Sequence, residues 1–309
     1  MRGLELSRLY YNEIFLPACR KRFPSAEGHF AAGLVGEGSE CFGYDDEWSQ
    51  DHSFGPRLCI WLTQEDYVCY SQDLSALWRD LPDMFMGYKR PAANVNEGKR
   101  SGVFSVGEFY RRNLGISGVP DGLHQWLAIR EPYFAAATNG EVYSDEPGQF
   151  TAVRKKLLKY FPDDIIRYYL AQHAAIAAQT GQYNLLRAYR HGEELATYNI
   201  KARFTQSVIA IVFLLNKAYR PFYKWAPRAM RALPVLGGEI YDKLLKLSEI
   251  RDIKEQVALV EDVCTCILVE MRGQGYTSGN SDYLMDHLPE LMGEIKAQEI
   301  RERGISMVF

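Results

Sequence analysis

The chain has 309 residues, of which 47% are hydrophobic and 24% are charged, and its formal net charge is −3. This composition is ordinary for a globular protein and excludes disorder as the main state. The slight negative charge gives no support to broad nucleic-acid binding, which usually needs a basic domain or stripe. The length predicts one large domain or two modest ones.

Two features of the sequence bear on where the protein works. The longest apolar run, Val208 to Leu215, is too short to cross a bilayer, and Met1 to Tyr11 lacks the apolar core of a signal peptide. The six cysteines are scattered without a CxxC pair, so they predict reduced, structural thiols. We therefore expect a cytoplasmic protein with no membrane partner.

The first half of the chain mixes helical patterns with short β-rich runs. Leu4 to Arg20 has helical spacing, and Pro24 marks the end of that helix. Phe30 to Val35 is a short apolar run before a small-residue turn, and Arg57 to Leu62 is typical of a buried strand. Leu123 to Ile129 predicts a further strand.

The second half of the chain has a helical pattern. One apolar stripe follows Asp163 and Asp164, acids that favour a helix N-terminus, and a second stripe over Phe204 to Tyr219 stops at Pro221. Three further helices are predicted, over Ile240 to Leu247, Lys254 to Arg272 and Tyr283 to Arg303.

The change of pattern predicts a domain boundary near residue 150. Turn signals at Asn139-Gly140 and Pro147-Gly148 close the mixed region. The sequence therefore predicts an α+β protein, with an α/β domain over residues 1–150 and an all-helical domain over residues 151–309.

The segment between the first two predicted strands carries the candidate chemistry. Gly38 and Ser39 form a turn after a strand, where backbone N–H groups can hold phosphate oxygens. Asp51 comes before the next strand, and on an extended chain residues 51 and 53 point the same way. Acids at both positions would share Mg²⁺ ions, and two metal ions about 3.5–4 Å apart stabilise both oxygens of a phosphoryl displacement.

This arrangement resembles the nucleotidyltransferase superfamily, which includes DNA polymerase beta and the kanamycin nucleotidyltransferases. More closely, the chain resembles an uncharacterised bacterial family of unknown function within that superfamily. The resemblance covers about residues 30 to 236 and rests on four stretches: Gly-Tyr-Asp-Asp (43–46), Asp-His-Ser-Phe-Gly-Pro-Arg (51–57), Thr-Asn-Gly-Glu-Val-Tyr (138–143) and Leu-Leu-Asn-Lys-Ala-Tyr-Arg-Pro-Phe-Tyr-Lys-Trp (214–225).

The resemblance implies both a fold and an activity. The fold is a nucleotidyltransferase-like mixed-sheet domain followed by a helical domain. The activity is binding of an NTP with Mg²⁺ and transfer of a nucleotidyl group to a hydroxyl of a small-molecule acceptor. The sequence identifies neither the acceptor nor the preferred base nor the oligomeric state.

The metal-binding acids are incomplete against the family pattern. The resemblance implies acids at residues 51 and 53 and just before Trp126, where this chain has Asp51, Ser53 and Gln125. Serine and glutamine contribute no negative charge, whereas Mg²⁺ sites usually rely on one or two carboxylates plus substrate phosphates. Two hypotheses stay open: a nucleotidyltransferase, or a catalytically degenerate nucleotide-binding protein that acts as a sensor, scaffold or antitoxin-like partner.

Residues 195–238 contain no acid, and this segment is expected to be locally positive. Its seven cations are Lys201, Arg203, Lys217, Arg220, Lys224, Arg228 and Arg231. Such a surface suits a triphosphate, although it is equally typical of a solvated helical face. Lys217, Tyr219, Tyr223 and Lys224 mix charge with aromatic rings, which predicts nucleotide contacts. The alternative is that the rings pack a helix corner.

Other candidate residues each have two interpretations. In the antibiotic-modifying relatives a carboxylate of the helical domain is the general base, which implies that role for Glu194, but an acid is favoured at a helix N-terminus anyway. Asp45 and Asp46 either bind metal or shape their loop, as Asp often does in turns. Arg167 and His173 match a ribonuclease spacing, whereas the apolar stripe favours a core histidine.

Overall fold

A computed structural model describes residues 1–51, 54–91 and 100–305, without the side chains of Gln50 and Asp51. The chain divides into two compact units, Met1–Lys159 and Tyr160–Phe309. The described residues have a mixed α+β structure whose strands all lie in the first unit. The division falls after residue 150 because the helix that starts at Gln149 belongs to the first unit. Phe150 on that helix stacks on the buried Trp61, with 3.8 Å between ring centroids.

The first unit combines six strands with seven helices among its described residues. It begins with α1 (Gly3–Tyr10), which passes through a π-helical turn (Tyr11–Phe15) into α2 (Leu16–Arg22). The strands are β1 (Phe30–Leu34), β2 (Cys59–Leu62), β3 (Met84–Phe85), β4 (Tyr88–Lys89), β5 (Gly102–Ser105) and β6 (Glu141–Asp145). The remaining helices are α3 (Gln64–Asp80), α4 (Val106–Leu114), α5 (Leu123–Ala128), α6 (Glu131–Thr138) and α7 (Gln149–Leu157).

Four strands form a mixed sheet in the order β5-β2-β1-β6. Strand β1 runs antiparallel to both β2 and β6, and β2 runs parallel to β5. The C-terminal end of β1 therefore lies at the same edge of the sheet as the N-terminal ends of β2, β5 and β6. We call this the loop edge, formed by residues 35–49, 54–58, 100–101 and 139–140. All five residues of β1 are buried, so the loop edge starts from a central strand.

The described residues of the second unit form helices and no strand. Its helices are α8 (Asp163–Ala177), α9 (Leu185–Arg190), α10 (Glu194–Leu215), α11 (Ala226–Arg231), α12 (Gly237–Glu249), α13 (Ile253–Gly273), α14 (Leu288–Gly293) and α15 (Gln298–Arg301). A π-helical segment (Ala178–Asn184) joins α8 to α9, and a 3₁₀ turn (Leu284–His287) precedes α14. None of the helices in the described ranges has the length and apolarity needed to cross a membrane.

Three sequence-based expectations for these elements were wrong. The strand predicted over Leu123–Ile129 is helix α5 in the structure. The prediction failed because the periodicity of a short apolar run does not distinguish a strand from a buried helical turn. The helix predicted over Tyr283–Arg303 is broken, since the Asp164 carboxylate accepts hydrogen bonds from the backbone N–H groups of Lys296 and Ala297. Helix α10 ends at Leu215, before Tyr219.

Candidate functional site

The glycine-rich turn after β1 has a backbone that requires glycine. Gly36 and Gly38 both have φ of 134°, a conformation that residues with side chains rarely adopt. Asn139 fixes the turn from the other side of the loop edge. Its Oδ1 accepts from Gly36 N at 2.9 Å, and its Nδ2 donates to Gly36 O at 2.8 Å. The turn is therefore tied to the start of β6.

A guanidinium group holds the turn before β6. Nη2 of Arg154, on α7, donates to the backbone oxygens of Thr138 at 2.7 Å and of Asn139 at 3.2 Å. Burial lowers the pKa of Arg154 from its ordinary value. Gly140 N donates to Cys41 O at 2.9 Å, which joins the same turn to the residues after Ser39. These bonds give the loop edge a defined shape.

A buried ion pair lies beneath the glycine-rich turn. Arg57 is 3% exposed and Glu40 is 9% exposed, and Nη2 of Arg57 contacts Oε1 of Glu40. The same Nη2 lies 3.3 Å from Glu37 O. A β-carbon on Gly38 would clash with both carboxylate oxygens of Glu40. The Glu40 carboxylate therefore occupies the space directly beside Gly38.

A small cavity of about 100 Å³ borders the other part of the turn, at Gly36 and Glu37. Its further lining residues are Val35, Arg100, Phe104, Phe109, Arg112 and Asn113. Nη2 of Arg100 lies 3.7 Å from Oε2 of Glu37. Arg112 lies over the ring of Phe104, 5.7 Å from its centroid. The cavity thus presents two guanidinium groups and one carboxylate, an excess of one positive charge, beside a glycine-rich backbone, a combination that attracts anions.

The metal ligands implied by the resemblance fall in two places. Asp51 is the last residue of a 3₁₀ turn (Trp48–Asp51) in the connection between β1 and β2, but its side chain and the whole of Ser53 lie outside the described residues. Gln125 is on helix α5 and not on a strand, and its Oε1 accepts from Asp121 N at 2.9 Å. Within the described ranges, His, Cys, Asp and Glu residues form no group of three or more that could hold a metal ion.

The remaining predicted contacts belong to the second unit. Glu194 is exposed at the first position of α10, and Lys217 is exposed with φ of 49° after that helix ends. Tyr219 packs against Tyr160 and Phe161, with ring centroids 4.9 and 5.1 Å away. Packing therefore accounts for Tyr219 without a nucleotide.

The two residues beyond Pro221 are more accessible. Tyr223 is 84% exposed, and Lys224 is also exposed. Nζ of Lys224 lies 4.5 Å from the centroid of the Trp225 ring, which indicates a cation–π contact. This corner of the second unit therefore presents a tyrosine ring and an ammonium group on the surface.

Three further candidate residues have surroundings that favour a structural role. Oδ1 of Asp46 accepts from Ser49 N at 3.0 Å, so Asp46 shapes its own loop. Arg167 forms an ion pair with Asp163 at 2.8 Å. Burial and a nearby guanidinium group lower the pKa of the half-buried His173 to about 3, so this histidine is neutral near pH 7.

Sequence reasoning missed several residues that build the loop edge. Arg57 and Asn139 lie within two of the four stretches that carry the family resemblance, and their place there was the available signal. Arg100, Arg112 and Arg154 had no such signal, because only the strand order brings them to this edge.

The fold and the site together define an α+β protein with a glycine-rich turn and a basic cavity at one sheet edge. A family model described as a domain of unknown function (DUF4037) matches residues 126–226, which is 101 of the 309 residues. This match includes Asn139 and Arg154 and extends into the second unit. No curated protein and no solved structure matches the chain.

Proposed function

We propose that the first unit is a nucleotidyltransferase-like domain that binds a nucleoside triphosphate at the loop edge. The observation that carries the proposal is the cavity at Gly36 and Glu37 lined by Arg100 and Arg112. Planar guanidinium groups bind phosphate oxygens in pairs, which gives geometry as well as charge. The resemblance of the Gly38-Ser39 turn to the nucleotidyltransferase superfamily supports the same ligand.

The position of the phosphate follows from the buried ion pair. Because the Glu40 carboxylate already occupies the space beside Gly38, a phosphate there would meet a like charge. The cavity is the favourable side of the turn, because its two guanidinium groups outnumber its single carboxylate, Glu37. Its volume of about 100 Å³ is below the roughly 300–1,000 Å³ of pockets that enclose a drug-sized ligand. It therefore accommodates one phosphate group, and the base and ribose lie outside it.

Binding without metal-assisted transfer is the function that this geometry supports best. Gln125, the one implied metal ligand whose side chain is described, brings no negative charge to a Mg²⁺ site, and one lone pair of its Oε1 already accepts from Asp121 N. The arginines supply the positive charge that the phosphate needs. The protein then acts as a nucleotide-binding sensor or scaffold.

Replacing Arg112 with alanine tests the binding proposal. We expect ATP or GTP affinity, measured by calorimetry, to fall about 10- to 100-fold, the effect of losing a hydrogen bond to a charged group worth about 1.5–3 kcal/mol. Arg111→Ala is the matched control, because Arg111 neighbours Arg112 on α4 but bonds Ser117 Oγ and does not line the cavity. Equal affinities of the two variants would contradict the proposal. Binding that is lost in EDTA would contradict its metal independence.

A second candidate function is nucleotidyl transfer to a hydroxyl of a small acceptor. It is favoured by the position of Asp51, whose backbone lies in the connection that joins β1 to β2 at the loop edge. In this function Asp51 would hold Mg²⁺, which stabilises charge on the phosphates. Pyrophosphate release in the presence of acceptor candidates would distinguish transfer from binding alone.

Adding a carboxylate at residue 53 tests where such a metal site lies. We expect Ser53→Asp to raise Mn²⁺ or Mg²⁺ affinity about tenfold, measured by calorimetry with ATP present, because the number of charged ligands sets the affinity of such sites. Ser25→Asp, at an exposed position of the same unit, adds the same charge elsewhere and should leave metal affinity unchanged. If both variants behave alike, Asp51 and residue 53 do not form the metal site.

A further inference from the structure

A second, larger cavity lies in the first unit between helix α1 and the residues after Gly43. Its volume is about 350 Å³, within the roughly 300–1,000 Å³ typical of small-molecule pockets. The side chains of Leu4 and Leu9 give it an apolar wall. It shares no lining residue with the cavity at Arg100 and Arg112, so it is a separate site.

The charges around this cavity favour a cation. Three carboxylates and two guanidinium groups line it, at Glu5, Asp45, Glu141, Arg2 and Arg8. Arg8 forms an ion pair with Glu141, so the charges of these two residues cancel. Arg2, Glu5 and Asp45 then leave one negative charge in excess. Nη1 of Arg2 also lies 3.5 Å from Gly43 O, so it already has a backbone acceptor.

Asp45 provides an acceptor that lacks a donor. It is 8% exposed, and its Oδ2 accepts from Gly3 N, in the first turn of α1, at 2.7 Å. Its Oδ1 is buried and has no hydrogen-bond partner among the described residues. A buried carboxylate oxygen without a donor is unfavourable, and such groups in proteins usually have a partner. This oxygen cannot be reached from the cavity, so Asp45 favours a cation there through its negative charge and not through a direct hydrogen bond.

We propose that this cavity binds a small organic ammonium ion with an apolar body. The ammonium group hydrogen-bonds to the exposed Glu5 carboxylate and is attracted by the negative charge of Asp45, and the hydrocarbon part packs against Leu4 and Leu9. A carboxylate or phosphate ligand is disfavoured because it would meet the excess negative charge. The proposal concerns a ligand other than the nucleotide and does not depend on nucleotide binding.

The direct test titrates n-pentylammonium chloride into the full-length protein and follows binding by calorimetry and ligand-observed NMR. 1-Pentanol and sodium pentanoate have the same chain with a neutral or a negative head group. We expect n-pentylammonium to bind at least tenfold more tightly than either, since hydrogen bonds between charged groups are the strong ones. If the alcohol or the carboxylate binds as tightly as the amine, the proposal is overturned.

Two variants assign the binding to the cavity. Asp45→Asn keeps an oxygen that can accept from Gly3 N but removes the negative charge, and we expect it to weaken n-pentylammonium binding about tenfold or more. Glu5→Gln, at an exposed position, should weaken binding in the same direction even if Asp45→Asn disturbs the fold. Glu13→Gln removes an exposed charge that does not line the cavity and is the control. Equal affinities of Glu5→Gln and Glu13→Gln would overturn the assignment.

Discussion

Replacing Arg57 with alanine is expected to lower the free energy of unfolding by about 3–5 kcal/mol, because it leaves the Glu40 carboxylate buried without its partner. Arg57 is 3% exposed, so water does not readily replace the lost guanidinium. The substitution also removes the contact with Glu37 O, which supports the glycine-rich turn. Urea denaturation at neutral pH, followed by circular dichroism, measures the loss.

Arg22→Ala is the matched control for the Arg57 variant. Arg22 also forms an ion pair, with Asp80 at 2.8 Å, but both side chains are about half exposed. Exposed ion pairs contribute about 0–1 kcal/mol, so the control should be close to the unchanged protein. A loss for Arg57→Ala no larger than that of Arg22→Ala would mean that Glu40 finds another partner or becomes solvated.

Substituting alanine at Gly140 is expected to cost more than about 4 kcal/mol, whereas alanine at Gly148 should cost about 1–2 kcal/mol. The two glycines have similar left-handed backbones, with φ of 63° and 74°. They differ in space, because a β-carbon at Gly140 would overlap the backbone oxygen of Leu34 while nothing lies within 4 Å at Gly148. The comparison therefore separates backbone strain from steric overlap.

Thermal and urea unfolding of the two alanine variants provide the measurement. A large loss at Gly140 alone would show that β1 and β6 approach closely at this point. If the two variants lose equal free energy of unfolding, the expected overlap is contradicted. Equal values would mean that β1 and β6 can move apart at Gly140 with little cost in free energy. Nucleotide affinity should fall for Gly140→Ala as well, because the neighbouring Asn139 holds the turn at Gly36.

Local patterns predicted many elements of this fold. The apolar run after Phe30 is strand β1, and the acids at Asp163 and Asp164 begin helix α8. These elements follow from side-chain periodicity and helix-end electrostatics, which are properties of short segments. The interruption of the last predicted helix had a distant cause, because it depends on Asp164, more than a hundred residues earlier in the chain.

The candidate site was predictable only in part, for the same reason. The Gly38-Ser39 turn is a local motif, and the sequence placed it after a strand. The hydrogen bonds between Gly36 and Asn139 join residues 103 positions apart. The basic cavity requires β5 to lie beside β2. No pattern within a short window contains the strand order, so Arg100 and Arg112 could not be assigned to this turn in advance.

The bonds between Gly36, Asn139 and Arg154 have a consequence for biosynthesis. The glycine-rich turn leaves the ribosome 103 residues before the asparagine that fastens it, and Arg154 follows later still. During translation the glycine-rich turn after β1 therefore lacks these hydrogen-bond partners until β6 and α7 emerge. The hydrogen-bonded geometry of this turn is completed only when the last segments of the first unit have been synthesised.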